Sequence, residues 1–158
     1  MNQDLFDMDK VGAFAAANDA TRERLRRLAE RVSDADLARP LEEGWTVAAI
    51  LVHMAFWDGC AAALAEGVAR TGRAERCEVD ADTVNVATLQ LAQVIPDRAA
   101  PALAVRAAER ADAAMAALDA AALAAIAAVE WPISPGRSWH RGEHLDQIEQ
   151  ALGWQGEG

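Results

Sequence analysis

Cysteine, basic residues and long apolar runs are scarce in this sequence, and each shortage excludes a class of protein. Two cysteines, Cys60 and Cys77, in 158 residues do not make a disulfide framework, so we expect a reducing compartment, the cytoplasm. The 15 Lys and Arg against 25 Asp and Glu give a net charge of −10, which argues against a nucleic-acid partner because phosphate binding uses clustered cations. The acidic N-terminus lacks the layout of a signal peptide, and no apolar run approaches the ~18–20 residues that cross a membrane, so no membrane partner is expected.

Motifs of several common enzyme classes are also missing. The sequence has no glycine-rich phosphate loop and no Ser-His-Asp order typical of a catalytic triad. One basic cluster, between Arg22 and Arg31, is interleaved with Glu23 and Glu30, which favours a solvated helix face. The 53% hydrophobic and 25% charged content is typical of a folded globular protein, and the length fits a single domain over residues 1–158.

Apolar residues recur at alternating steps of three and four in four long segments, which predicts helices that face one another. A shorter segment from Asp82 to Val94 fits a helix or an extended strand, and we favour a helix. No strand alternation is found, so the sequence predicts an all-α four-helix bundle. The four segments are Val11–Val32, Val47–Val68 between a Thr46 cap and Gly72, the alanine-rich run from Pro101 to Ala122, and the segment from a Ser138 cap to Leu152 before Gly153.

The apolar stripe of the first segment is interrupted in its middle by Asn18 and Thr21. Such an interruption is typical of a stripe that faces an internal polar site. The alternative is a helix end that tilts toward solvent. The periodicity alone leaves both readings open.

The sequence contains only three histidines, and their spacing is informative. His140 and His144 are four residues apart on one predicted helix, so their imidazoles share a face and one ion could bind both. Three histidines placed at random in a chain of this length would contain such a pair roughly 4% of the time when counted against this helical template. His53 lies one residue before the stripe of its own helix, as His144 does, so packed helices could direct all three rings to one point. We therefore predict a metal site of His53, His140 and His144; the alternative is one core histidine and two surface histidines.

Other polar residues give weaker indications. Cys60 shares a face with His53 but lies about 10 Å further along the helix, which favours a structural cysteine. Three carboxylates, Asp58, Glu143 and Asp146, could orient a ligand histidine, although each could equally be solvated. Trp57, one turn beyond His53, could wall a pocket or simply belong to the core.

Two segments resemble the DinB/YfiT-like superfamily. They are GWTVAAILVHMAFWD at 44–58, which is similar to the tryptophan-led second helix of that family, and WHRGEHLDQI at 139–148, which is similar to its last helix. Residues 79–85 and the alanine-rich helix that follows are similar to its third-helix region. The resemblance covers nearly the whole chain.

The resemblance implies an up-down-down-up four-helix bundle, often a homodimer, with three histidines that bind zinc, nickel or iron. These histidines correspond to His53, His140 and His144. It also implies thiol chemistry, because relatives include S-transferases that use mycothiol or bacillithiol and a mycothiol-dependent maleylpyruvate isomerase. The extra C-terminal domain of the isomerase is absent here, so that activity is less expected.

Two functions follow as hypotheses. In the first, one divalent ion, most simply zinc, activates a low-molecular-weight thiol such as mycothiol for attack on an electrophile. The substrate would then contact Asn18, Thr21, Arg22 and Trp57, with Arg22 or Arg141 supplying positive charge. In the second, the protein binds metal without catalysis, in a structural or stress-related role. An open cavity beside the ligands would favour the enzyme.

Overall fold

The computed structural model describes residues 8–75, 80–129 and 135–154. Within these ranges the protein is all-α, as predicted, and its only strand-like pairing is an isolated bridge between Pro40 and Thr46. Four long helices, α1, α3, α5 and α7, form the bundle. The helices are α1 (Met8–Arg31), α2 (Asp34–Leu37), α3 (Val47–Thr71), α4 (Ala81–Ala92), α5 (Ala100–Ala116), α6 (Ala120–Ala127) and α7 (Ser138–Leu152).

The long helices pack in a ring in which α1 contacts α5 and α7, and α3 contacts the same two. α5 runs antiparallel to α1, because Arg22 pairs with Asp112 while Arg26, one turn later, pairs with Glu109. α7 runs parallel to α1 and antiparallel to α3. The pairs that fix these directions are Asn18 with Ser138, Arg24 with Glu149, His53 with His144 and Asp58 with Arg137. The order is therefore up-down-down-up, as the family resemblance implied.

The central helix, α3, begins and ends where local signals in the sequence place it. The Thr46 hydroxyl accepts a hydrogen bond from the Ala49 amide, and Gly72 ends the helix with a φ of 65° that side chains other than glycine avoid. α3 is long and apolar enough to cross a membrane by length and composition, so the expectation that no apolar run approaches that length is wrong. However, 67% of its most apolar window is buried inside the bundle, as in the core helix of a soluble protein.

The alanine-rich region differs from the sequence prediction. It was expected to form one helix as far as Ala122, but α5 ends at Ala116 and α6 begins at Ala120. Asp119 causes the break, because its extended backbone lets its carboxylate accept a hydrogen bond from the Ala122 amide and cap a new helix. The segment 81–92 is helical, as favoured, and Asp80 caps it through the Thr83 amide.

Two apolar clusters form the core. One surrounds the first half of α3 and is rich in Leu, Ile and Val from α1, α3 and α7; it includes Leu25, Leu51, Met54, Leu145 and Ile148. The other joins the second half of α3 to α5 and α6, and half of its buried members are alanine. Small side chains allow these helices to approach closely. Cys60 is half-buried and packs against this second cluster, whereas Cys77 lies outside the described residues.

Candidate metal centre

The three histidines meet where α3 and α7 cross. His53 lies on the buried face of α3 and is only 6% exposed, whereas His140 and His144 are half-buried on α7. One nitrogen from each ring lies within 4.8 Å of one nitrogen from each of the others. The Nε2 atoms of His53 and His140 are 3.2 Å apart, close to the ~3.3 Å that separates two nitrogens on one tetrahedral zinc ion. The structure thus brings together all three residues that the sequence predicts.

Hydrogen bonds fix which nitrogens carry protons. Arg137 lies 3.1 Å from Nδ1 of His140, and a guanidinium only donates, so Nδ1 is the acceptor and the ring proton lies on Nε2. That proton is donated to Nε2 of His53. His144 is oriented by the side-chain oxygen of Gln147, which lies 3.2 Å from its Nδ1 and accepts the proton there. His53 and His144 therefore direct unprotonated Nε2 atoms toward the centre of the cluster.

The environment keeps the imidazoles neutral. Burial, together with the nearby charges of His144 and Arg137, lowers the pKa of His53 from 6.5 to about 4. Burial and the Arg137 guanidinium lower the pKa of His140 to about 2. Burial also lowers the pKa of His144, against the opposing effect of its hydrogen bond to Gln147. Neutral nitrogen is the form that binds a metal ion.

This donor set fits one divalent ion. Three imidazoles at these separations are typical of zinc sites that keep a position open for a small molecule. A buried Nδ1 on His53 has no hydrogen-bond partner among the described residues, so that ring is held by packing against Trp45 at a ring distance of 5.5 Å. For His140 to bind through Nε2, its proton must move to Nδ1 and the contact with Arg137 must be released.

A cavity of about 720 Å³ opens beside the three histidines. Trp45, Trp57 and the largely exposed Trp139 contribute aromatic walls, and Arg137 contributes a guanidinium. Trp57 is held in place because its indole N–H donates to the side-chain oxygen of Asn85 on α4, at 3.1 Å. The cavity is large enough for a drug-sized molecule.

A chain of buried ion pairs runs from this cavity through the middle of the bundle. Asp58 accepts from Arg137 and from Arg141, each at 2.8 Å. Arg141, which is fully buried, continues to Asp112 at 2.8 Å, and Asp112 also pairs with Arg22 at 2.6 Å. Three guanidinium groups thus share two carboxylates, the buried Asp58 and the largely buried Asp112. Sequence reasoning missed Arg137, although it lies three residues before His140 and therefore on the same helical face.

The four residues expected to contact a substrate do not share one cavity. Trp57 lines the histidine cavity, but Asn18 and Arg22 line a separate cavity of about 440 Å³ between α1, α5 and α6. Thr21 donates its hydroxyl to the carbonyls of Ala17 and Asn18 in its own helix. The expectation that the polar interruption of α1 faces the histidines is wrong, because α1 and α3 lie on opposite sides of the ring.

Asn18 instead supports the start of α7. Its side-chain oxygen accepts from the Ser138 amide at 2.9 Å, and its amide donates to the Pro135 carbonyl at 3.2 Å. Ser138 was expected to cap α7 with its own hydroxyl, but no side chain at the capping position of that helix makes such a bond. The cap therefore comes from α1, 120 residues earlier in the chain.

The remaining candidates also have other partners. Arg141 was expected to supply charge to a ligand, but it is buried between Asp58 and Asp112 and does not line the histidine cavity. Asp146 pairs with Arg24 on α1 rather than with a histidine. Glu143 is exposed and lines the histidine cavity. Among the described residues, Gln147 and Arg137 are the polar side chains that form hydrogen bonds with the histidines outside the cluster itself.

A family model described as the DinB superfamily matches residues 17–148, which is more than four-fifths of the chain. The matched range includes His53, His140 and His144. No curated protein and no solved structure matches the chain significantly.

Proposed function

Since the chain belongs to the DinB superfamily, we propose that it is a metal-dependent enzyme that joins a low-molecular-weight thiol to an electrophile. His53, His140 and His144 would hold one divalent ion. The observation that carries this proposal is the open cavity of about 720 Å³ beside the histidine cluster. A purely structural ion needs a closed set of ligands and no such space.

Zinc is the simplest choice of ion, with nickel and iron as alternatives. Three neutral nitrogens and no carboxylate or thiolate among the clustered groups suit each of these metals. When bound, the ion would lower the pKa of a coordinating thiol and so supply the nucleophile as a thiolate. The thiol sulfur would then bond to the electrophilic carbon and displace its leaving group. Mycothiol or bacillithiol would be the natural thiols, as the family resemblance implies.

The surrounding residues would position the reactants. Gln147 orients the His144 ring through Nδ1, which keeps Nε2 directed into the cluster. Trp45 and Trp57 lie edge-on to His53, at 5.5 and 6.5 Å, and exclude water from one side of it. A flat or apolar electrophile would pack against these indoles while the thiol occupies the metal side.

Metal analysis followed by a conjugation assay tests this function. We expect about one ion per chain and faster reaction of monobromobimane with at least one thiol from a panel of mycothiol, bacillithiol, glutathione and cysteine. His140→Ala should lose both properties, whereas Arg110→Gln, an exposed change elsewhere, should keep both. Protein that binds the ion but accelerates no thiol would support the alternative of a non-catalytic metal-binding protein. Failure to bind zinc, nickel or iron would overturn both.

We also propose that the protein acts in the cytoplasm as a homodimer that uses α4. Residues 83–96 contain no charged side chain, although the chain carries a net charge of −10. Val86, Leu91 and Val94 are each more than half exposed on this segment. A self-complementary contact between two copies of this segment would bring no like charges together within it. Light scattering should find a dimer that Val86→Glu dissociates. Ala124→Glu, at an exposed position of α6, should leave the dimer intact. A monomeric parent protein would end this proposal.

A further inference from the structure

The carboxylate partners of three arginines are unevenly distributed, and the shortage lies beside the histidine cavity. Arg22 has a second carboxylate partner, Asp19 at 2.8 Å, in addition to Asp112. Arg141 has Asp58 and Asp112. Among the described residues, Arg137 has one carboxylate partner, Asp58, which it shares with Arg141. The three arginines and three aspartates balance in number, but Arg137 is the guanidinium whose charge is least compensated.

The guanidinium of Arg137 also keeps hydrogen-bonding capacity. Its Nε donates to Asp58 and its Nη2 to His140, whereas Nη1 has no hydrogen-bond partner among the described residues. Arg137 is 5% exposed, yet it lines the cavity. Its Nη2 lies 3.1 Å from Nδ1 of His140, a residue of the same cavity wall, so the charge is placed at the edge of the cavity. A buried cation beside an open space favours an anionic group.

The other walls define the rest of the ligand. Trp45, Trp57 and Trp139 are flat and apolar, so they suit an aromatic or otherwise planar body. Glu42 and Glu143 also line the cavity, but both are exposed, so water and salt screen their negative charges. Arg137 is buried and is screened much less. An anion would therefore be favoured at the Arg137 end of the cavity and not among the exposed carboxylates.

We propose that Arg137 binds an anionic oxygen group of the substrate, so that the histidine cavity takes small planar organic acids. This inference rests on the proposed function for the role of that cavity, but not on the presence of the ion. The planar body packs on the tryptophans, and the anionic group accepts hydrogen bonds from the guanidinium. Arg137 is thus a specificity-determining residue that selects the electrophile or the thiol by its charge.

Matched probes test this selection. Benzoate and benzamide share one planar body and differ in charge, and calorimetry on metal-free protein measures the dissociation constant of each. We expect benzoate to bind at least about tenfold more tightly, as a charge-assisted hydrogen bond predicts. Arg137→Gln should bring the ratio to about one, and Arg137→Lys should keep part of it. Arg110→Gln, which changes the net charge equally at an exposed pair with Glu66, should leave the ratio unchanged.

Several results would overturn the inference: no preference in the parent protein, no binding of either probe, or a ratio that survives Arg137→Gln. If Arg137→Gln does not fold, nitrogen-15 NMR decides, since benzoate but not benzamide must shift the Nε–H signal of Arg137. Zinc titration of the same samples separates the two proposals. Normal zinc binding without a benzoate preference overturns this inference alone, whereas a benzoate preference without zinc binding overturns the proposed function alone.

Discussion

Two cavities lie at opposite ends of one chain of ion pairs, and they differ in how their charges are balanced. In the cavity between α1, α5 and α6, each arginine has two carboxylate partners: Arg22 has Asp19 and Asp112, and Arg26 has Glu23 and Glu109. In the histidine cavity, three neutral imidazoles lie beside a guanidinium that shares its carboxylate. Arg22 and Arg26 each join α1 to α5 through a carboxylate of α5, although the buried Nε of Arg22 has no hydrogen-bond partner among the described residues. Arg137, which shares its carboxylate and lies beside open space, is better placed to bind a ligand.

The largest expected effect on stability comes from neutralising one of the two carboxylates that the arginines share, Asp58 or Asp112. Asp58→Asn leaves both Arg137 and Arg141 short of a buried partner, so we expect it to lower the free energy of unfolding by about 3–5 kcal/mol. Asp112→Asn should cost less, since Arg22 keeps Asp19 and Arg141 keeps Asp58. Urea unfolding followed by circular dichroism measures both variants.

Asp34→Asn is the matched control for these variants. Asp34 pairs with Arg98 on the surface, where both side chains are more than half exposed. Loss of an exposed pair should change the free energy of unfolding by less than about 1 kcal/mol. If Asp58→Asn and Asp112→Asn lowered the free energy of unfolding equally, the two ends of the ion-pair chain would not differ as we infer.

The second effect is a pH dependence that belongs to the histidine cavity. The folded-state pKa values of His53 and His140, about 4 and about 2, lie below the 6.5 of the unfolded chain. Below pH 6.5 the unfolded state binds protons that the folded state excludes, so stability falls as the pH falls from 6.5 toward 4. We expect the free energy of unfolding of the metal-free protein to fall by about 1–3 kcal/mol between roughly pH 6.5 and 4.5. Each fully shifted group would contribute about 1.4 kcal/mol per pH unit, and the expected loss is smaller because solvent reaches the cavity.

Urea unfolding at several pH values measures this loss. The double variant His53→Gln with His140→Gln should lose distinctly less stability over the same interval. Arg22→Gln, at the other cavity, should keep the full pH dependence of the parent protein. Parallel curves for the parent and the histidine variant would show that these rings do not govern the change.

The smallest effect concerns Asn18, which borders the second cavity but supports the helix that carries two of the histidines. Asn18→Ala removes the cap from the Ser138 amide, and we expect a loss of about 1 kcal/mol with a several-fold weaker zinc affinity. Asn18→Asp keeps the acceptor and should retain most of the stability. Thr21→Ala, which loses only bonds within α1, should change neither quantity measurably. An Asn18→Ala variant with unchanged stability and zinc affinity would refute this role.

Local signals were enough to predict most of the fold. The three-four spacing located the four long helices, and Thr46, Gly72 and Gly153 bound two of them as predicted. The break before α6 was missed because alanine favours helix on both sides of Asp119, so one capping residue decides the structure there.

The candidate site was predictable only in part. The i, i+4 pair of His140 and His144 is visible in the sequence, and the helical phase of His53 points to the same place. The pair of Asp58 with Arg137 spans 79 residues, and the cap from Asn18 spans 120. Which residues pair over such distances depends on the order of the helices around the ring. The spacing of apolar residues within each helix does not determine that order. Asn18 is buried, as in the first of the two readings of its stripe, but from α1 it faces another cavity and not the histidines.

His53 lies on α3, and the other two histidines lie together on α7, 87 residues or more further along the chain. During synthesis on the ribosome, the chain therefore carries a single one of these three rings until α7 has been made. An ion that needs all three rings would be held tightly only after α7 has emerged and packed against α3. Metal binding would then stabilise chains that have completed α7 over chains that end before it, without any contact dedicated to that purpose.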